Sequence, residues 1–192
     1  MIPQGILGFW PDAPHYQRDV VKAKEYMAKA GLTSLDLQWD IYDTTEQRTW
    51  AEIGKENLSE IGINVTINPQ PYDSMIALGQ GDKGKGIELY SDDFAMAPDP
   101  AWATEWFTCE QVGKWNWMRW CNSDYGALND KAMVTLDETE RTKIYIQMQQ
   151  IWDEACISLF VTNGVASFAY KPTIKPAVSP HGVFRPCWFT PA

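Results

Sequence analysis

Between Arg18 and Ser91 the apolar residues switch repeatedly between the spacing of a helix and that of a strand. That alternation limits the fold more than any other feature. "RDVVKAKEYMAKAGL" carries Val20, Ala23, Met27 and Ala30 at helical spacing, then stops at Gly31 with Leu32 as a hydrophobic follower, the pattern of a left-handed cap. "SLDLQWDIYD" alternates Leu35, Leu37, Trp39 and Ile41 with polar residues and predicts a strand. "TTEQRTWAEIGKENLSEIG" opens with a Thr44-x-x-Gln47 capping box, carries Trp50, Ile53, Leu58 and Ile61 as its apolar stripe, and ends at Gly62. "INVTINP" alternates through Ile63, Val65 and Ile67. The short helix "YDSMIALGQ" then leads to a strand in "GIELYS". Strands separated by helices predict an α/β layer with a partly parallel sheet, because the crossover helix packs back onto the sheet it left.

The second half is less regular. A Trp-rich segment from Trp102 to Trp120 has no clear period. "NSDYGALNDKAMVT" predicts a helix, and "DETERTKIYIQMQQIWDEA" a longer one, with Asp137 and Glu140 suited to its first turn and Ile144, Met148, Ile151, Trp152 and Ala155 facing inward. "CISLFVTNGVASFAY" reads as one or two strands, and the tail is Pro-rich and extended. With no internal repeat and no flexible linker, residues 1–192 read as one structural unit.

The charge balance is acidic, 25 Asp+Glu against 16 Lys+Arg, which argues against a nucleic-acid surface and against docking on anionic lipid. No apolar run approaches the ~20 residues of a membrane span. The opening "MIPQGILGFWPDAPHYQRD" lacks the basic segment and apolar core of a leader and reads as the middle of a loop, so a fragment with a supplied Met1 is expected. The 10 Trp exceed what a core hides easily, since each indole N–H needs a partner, and some should line a groove. Of the four cysteines, Cys109, Cys121, Cys156 and Cys187, none forms a C-x-x-C pair of a zinc or thioredoxin-type site. Cys109 and Cys121 bracket a loop short enough to close, with Gly113 to turn it; a disulfide and a pair of free thiols are both open readings.

Catalytic signatures are absent. "GQGDKG" from Gly79 matches G-x-G-x-x-G but follows a helix instead of a strand, and no G-x-S-x-G elbow or P-loop occurs. His15 and His181 sit in Pro-rich loops without a second metal ligand at helical spacing. No metal or cofactor is expected. The chemistry concentrates in "IELYSDDFAMAPDPAWATEWF", where Asp92, Asp93 and Asp99 stand among many rings. Asp93 and Asp99 could supply the paired carboxylates of a carbohydrate-active enzyme, with Trp for sugar stacking. The structural reading makes Asp99, between Pro98 and Pro100, a turn or cap residue before the helix "AWATEWF". Asp93 ends a strand, where α/β folds place ligands, and an ionised Asp among rings suits an ammonium group.

The order of segments resembles the C-terminal lobe of the extracellular solute-binding proteins, family 5, of dipeptide, oligopeptide and nickel ABC transporters. "IPQGILGFWPDAPHYQRDVVKAKEYMAKAGL" is similar to the family's Pro-rich loop and A-K-x-L-L-x-x-A-G helix. "ENLSEIGINVTI", "LYSDDFAMAPDP" and "RTKIYIQMQQIWDEACISLFV" resemble, in the same order, its L-x-x-I-G-I-x-V, G-W-x-x-D-x-x-D-P and R-x-x-x-Y-x-x-x-Q segments. Tyr90 stands where the family has Trp, "AMA" is extra, and Cys156 replaces a Pro.

The resemblance implies one lobe of a type II periplasmic-binding-protein clamshell, a mixed sheet flanked by helices, with the N-terminal lobe absent from residues 1–192. It implies a substrate-binding component of an ABC importer, not an enzyme, that takes a peptide or similar small solute and hands it to a permease. The place implied is periplasmic, or extracellular and lipoprotein-anchored. By position, Asp93 would meet the ligand's ammonium group, with Asp92 next if "AMA" shifts the register. Tyr90, Phe94 and Trp120 would line the cleft, and Cys109–Cys121 would be a disulfide. A sugar-binding module or carbohydrate-active enzyme using Asp93, Asp99 and the Trp-rich segment is the alternative.

Overall fold

The switching period folds as it reads. The computed structural model describes residues 1–93, 97–162, 164, 167–179 and 185–192. Contacts group the chain into two units, Ala13–Asp93 with Cys109–Cys121, and Met1–Asp12 with Phe94–Thr108 and Asn122–Ala192.

The first unit is the α/β layer. Its elements are α1 (Val20–Lys29), β1 (Leu35–Tyr42), α2 (Thr45–Ser59), β2 (Ile63–Gln70), α3 (Tyr72–Gly79) and β3 (Leu89–Tyr90). The strands form a parallel sheet in the order β2-β1-β3, with β1 in the middle. β1 and β2 pair from Leu35↔Ile63 to Tyr42↔Gln70. β3 adds only Trp39↔Leu89 and Asp40↔Tyr90, so "GIELYS" contributes a strand shorter than its sequence suggests. Helix starts are capped as the residue types require. The Asp19 side chain accepts from the Lys22 amide at 2.9 Å and Thr44 Oγ1 from the Gln47 amide at 3.2 Å. Gly31 (φ 72°) and Gly62 (φ 86°) take the left-handed turns that end α1 and that follow α2.

Side-chain size corrects one packing expectation. The inward face of α2 is Gln47, Ala51 and Gly54, and Ile53 of the expected apolar stripe is 56% exposed. The cause is Trp39. Its ring fills the space between sheet and helix, and a Cβ on Gly54 would lie 2.5 Å from it. Gly54 therefore sits where the ring needs room and Ile53 is turned to solvent, while Trp50, Leu58 and Ile61 are half-buried.

The second unit holds α4 (Ala101–Thr104), α5 (Ser123–Val134), α6 (Glu138–Ala155) and a short antiparallel pair, β4 (Ile174–Lys175) with β5 (Thr190–Pro191). The rings of Phe107 and Trp152 meet at 4.3 Å, and the buried Tyr125 hydroxyl donates to the Thr104 carbonyl at 3.0 Å. On α6 the buried face includes Ile144, Met148 and Trp152 as expected, but also Tyr145 and Gln149. Gln149 is tolerated inside because both ends of its amide are used: it donates to the Gly8 carbonyl at 2.8 Å and accepts from the Ile2 amide at 3.1 Å.

The described part of "CISLFVTNGVASFAY" forms no strand, which corrects that expectation. The residue types favour strand, but a strand needs a neighbour for its N–H and C=O groups, and none of the described residues pairs with it. Leu159 is 79% exposed. Among the described residues, no helix is long and apolar enough to cross a membrane.

Candidate ligand site at the strand ends

In a parallel sheet the carboxyl ends of the strands gather the residues that leave them, and here β1 and β3 deliver an acid–aromatic cluster. Tyr42 is the last residue of β1, Tyr72 the first of α3, and Tyr90 the last of β3. The Tyr42 and Tyr72 rings stack with centroids 5.3 Å apart and planes 19° from parallel. Tyr90 packs on Trp117 at 5.6 Å, with the rings tilted by 52°. The Ser91 amide donates to the Asp40 carbonyl at 3.1 Å, and Trp39 Nε1 donates to Ser91 Oγ at 2.9 Å. These two bonds carry the edge of the sheet one residue past Tyr90 and fix where the chain turns outward to Asp92.

Asp92 is the half-buried acid of the pair; Asp93 is exposed. Asp92 Oδ1 accepts from the Asp93 amide at 2.9 Å, and the Tyr42 hydroxyl donates to the same carboxylate. Burial is the main reason that the Asp92 carboxyl is pushed up to about 6; the neighbouring Asp93 charge adds to it, and the Asp93 amide and Tyr42 hydroxyl oppose it. The hydroxyls of Tyr42 and Tyr90 are raised well above their ordinary value, first by burial and then by the Asp92 charge. Among the described residues no Lys or Arg forms an ion pair with Asp92 or Asp93. The cluster is thus a partly desolvated anion walled by rings, without a counter-charge of its own. A ligand ammonium would supply that charge and gain ring contacts as well.

The disulfide loop builds the back wall. Cys109 and Cys121 are bonded, closing a loop with a sequence separation of 12. Within it Gly113 takes φ 80°, and Gly81 N donates to the Gly113 carbonyl at 2.7 Å. Arg119 Nη1 donates to the Gly81 carbonyl at 3.1 Å. Trp117, 3% exposed, is pressed onto Gly79 and joins Tyr42 and Met75 in the unit's core. Opening the bridge with a Cys109→Ser, Cys121→Ser double substitution is expected to cost about 3 kcal/mol, the loop entropy returned to an unfolded chain of this span. Chemical denaturation of both forms checks it, and an unchanged midpoint would mean that the loop stays ordered without its bridge.

Of the residues expected at the site, the structure brings together Tyr90, Asp92 and Asp93. Phe94 lies outside the described residues, as do Ala95 and Met96 of the "AMA" segment. The ring packed on Tyr90 is that of Trp117; Trp120 accepts through its carbonyl from Asn116 Nδ2 at 2.7 Å. Tyr42, Tyr72 and Trp117 join the cluster although the sequence does not single them out. The first two had a usable signal, since each flanks the carboxyl end of a strand in a sheet expected to be parallel. Asp99 keeps its expected structural role. Its Oδ1 accepts from the Ala101 amide at 2.9 Å, and Arg141 binds both of its oxygens at 2.8 and 2.9 Å. Burial pushes the Asp99 carboxyl up, but the Arg141 and Ala101 bonds outweigh it and hold the group below its usual range.

No family model matches the chain. A search of curated proteins finds similarity to the probable D,D-dipeptide-binding periplasmic protein DdpA of Escherichia coli K12, 29% identical over 91% of this chain and 36% of that protein. Di/tripeptide-binding protein 1 of Pseudomonas aeruginosa UCBPP-PA14 is 26% identical over 90% of this chain and 33% of its own length. The chain thus spans about a third of the curated relatives it matches. In fold it is similar to a periplasmic binding protein, DppA of Helicobacter pylori, solved in complex with the peptide STSA: TM-score 0.72 at 22% identity, covering 81% of this chain and 31% of that one.

Proposed function

From a chain whose homologues are the dipeptide- and oligopeptide-binding periplasmic proteins of family 5, with a type II binding-protein fold, we propose that residues 1–192 form the C-terminal lobe of a peptide-capturing protein. The lobe supplies one wall of a cleft, and an N-terminal lobe outside this chain closes over the ligand by hinge motion. The loaded protein then delivers its peptide to an ABC permease from the periplasm, or from an extracellular position on a lipid anchor. The observation that carries this reading is Asp92: a half-buried carboxylate beside Tyr42 and Tyr90 that forms no ion pair with a Lys or Arg among the described residues. It receives the ligand's α-ammonium group, and Asp93 lends longer-range attraction from its exposed position.

Binding catalyses nothing. Asp99, which a glycosidase reading would pair with Asp93, is tied to Arg141 and held ionised, so it has no proton to give a leaving group. Calorimetry on the full-length protein tests the proposal with di- and tripeptides, a nickel complex and oligosaccharides. Peptide binding with no sugar binding is the expected result; a sugar bound in preference to every peptide would overturn it.

The acid also sets a pH dependence. Only ionised Asp92 attracts an ammonium, so peptide affinity is expected to rise between about pH 5 and pH 7 and then level off. Binding near pH 6 should release protons, because the incoming positive charge favours the ionised carboxylate. Without ligand the sign reverses. The folded-state value of Asp92, about 6, lies above its ordinary 3.8, so between about pH 4 and pH 6 the native state holds the extra proton and loses stability as pH rises through that range. Calorimetry in buffers of different ionisation enthalpy reads the proton count. A pH-independent affinity across this range would contradict the assignment.

A further inference from the structure

A helix that covers a sheet normally meets an apolar face, but α3, beside its apolar contact through Met75 with Tyr42, also meets a polar stretch of the sheet. Gln38 and Asp40 of β1 and Asn68 and Gln70 of β2 line a cavity of about 310 Å³ whose other side is Ser74, Ala77 and Leu78 of α3, with Lys83 from the turn that follows. Asp40 is 1% exposed. Its carboxylate accepts from Asn68 Nδ2 at 2.7 Å and from Gln38 Nε2 at 3.1 and 3.3 Å. Among the described residues it forms no ion pair, and neither does Lys83.

The hydrogen bonds to Asp40 determine what the cavity offers. An ionised carboxylate only accepts, so Gln38 and Asn68 must turn their NH₂ groups to Asp40. Their carbonyl oxygens are left over as acceptors. The cavity therefore combines a buried anion, two amide carbonyls and the Ser74 hydroxyl with the exposed Lys83 ammonium. A purely cationic ligand would face Lys83, and a purely anionic one would face Asp40. A small molecule that carries both charges satisfies both.

We propose that this cavity is a second binding site, separate from the strand-end cluster, for a zwitterion of amino-acid size. Its ammonium lies toward Asp40 and the amide carbonyls, and its carboxylate toward Lys83. The apolar surface of Ala77 and Leu78 receives a small side chain.

The test uses glycine as the probe, titrated calorimetrically into the full-length protein bearing Asp92→Asn, so that the strand-end carboxylate cannot contribute. Saturable binding is expected. It should weaken at least tenfold with Lys83→Ala, an exposed change that leaves the core intact, and likewise with Asp40→Asn, while acetate and methylammonium alone bind more weakly. The proposal is overturned if glycine binds only when Asp92 is present. It is also overturned if Lys83→Ala changes nothing, or if no binding is seen up to about 50 mM, where an affinity weaker than about 2 kcal/mol has no specific site behind it. Because Asp92 is already removed, failure here leaves the peptide-binding reading standing, and failure of that reading leaves this site testable.

Discussion

Asp92→Asn in the full-length protein is expected to weaken binding of a free-amino-terminal peptide by about 100-fold or more. Removing one partner of a desolvated charge pair costs about 2–5 kcal/mol, much of it the cost of leaving the other charge buried and unpaired. Asn keeps the shape and can still accept from the Tyr42 hydroxyl and the Asp93 amide, so the loss should come from charge and not from a collapsed loop. The same substitution should stabilise the unliganded protein near pH 7, because it removes an anion held where ionisation is disfavoured. Asp93→Asn makes the contrast: an exposed charge is screened by water, and its loss should cost under about 1 kcal/mol of binding. Affinity by calorimetry and thermal melts of the four combinations check both halves. Should Asp93→Asn carry the large loss and Asp92→Asn the small one, the roles of the two acids are exchanged.

Gly79→Ala is expected to destabilise the protein by about 1–2 kcal/mol, against the usual sign for this change in a helix. Ordinarily Ala gains about 1 kcal/mol over Gly by restricting the unfolded chain. Here a Cβ would lie 2.2 Å from Cδ2 and Cε2 of Trp117. These are atoms of a buried ring fused to the core, not the free end of a flexible chain, so the ring must move as a body. Overpacking of this kind costs about 1–3 kcal/mol and at times more, which outweighs the propensity gain. Displacing Trp117 also removes the support of Tyr90, so peptide affinity should fall with stability. Gly126→Ala in α5 is the control: nothing lies within 4 Å of its added Cβ, and it should stabilise by about 0.5–1 kcal/mol. Thermal and chemical denaturation separate the two. A neutral Gly79→Ala would mean that the ring finds another rotamer at no cost.

The architecture was legible because the period of apolar residues survives folding wherever one face of an element is buried. Leu37, Trp39 and Ile41 against Val65 and Ile67 place β1 and β2 without help from distant contacts. What period cannot show is which of two neighbouring stripes wins. On α2 the larger Ile53 lost to Gly54 because the volume between helix and sheet was already taken by Trp39, a fact about a residue on another element. Gln149 was hidden for a similar reason, since its burial depends on the carbonyl of Gly8 and the amide of Ile2, far away along the chain. At the site, the acids were visible because charge among rings is unusual. Which of Asp92 and Asp93 is desolvated depends on one backbone turn after Ser91, and adjacent identical residues carry no signal about that. Tyr72 is separated from Tyr42 by a strand and a helix, and only the parallel return of β2 brings the two rings together.

Comparing one dipeptide with its N-acetylated form, by calorimetry on the full-length protein at about pH 7.5, tests the central claim most directly. Acetylation removes the ammonium and little else. If Asp92 is the seat of that group, the free dipeptide binds and the acetylated one loses at least about 100-fold, the factor that follows from an unpaired, desolvated carboxylate. Equal affinity for the two would contradict it and remove the acid–aromatic cluster at the ends of β1 and β3 from ligand recognition.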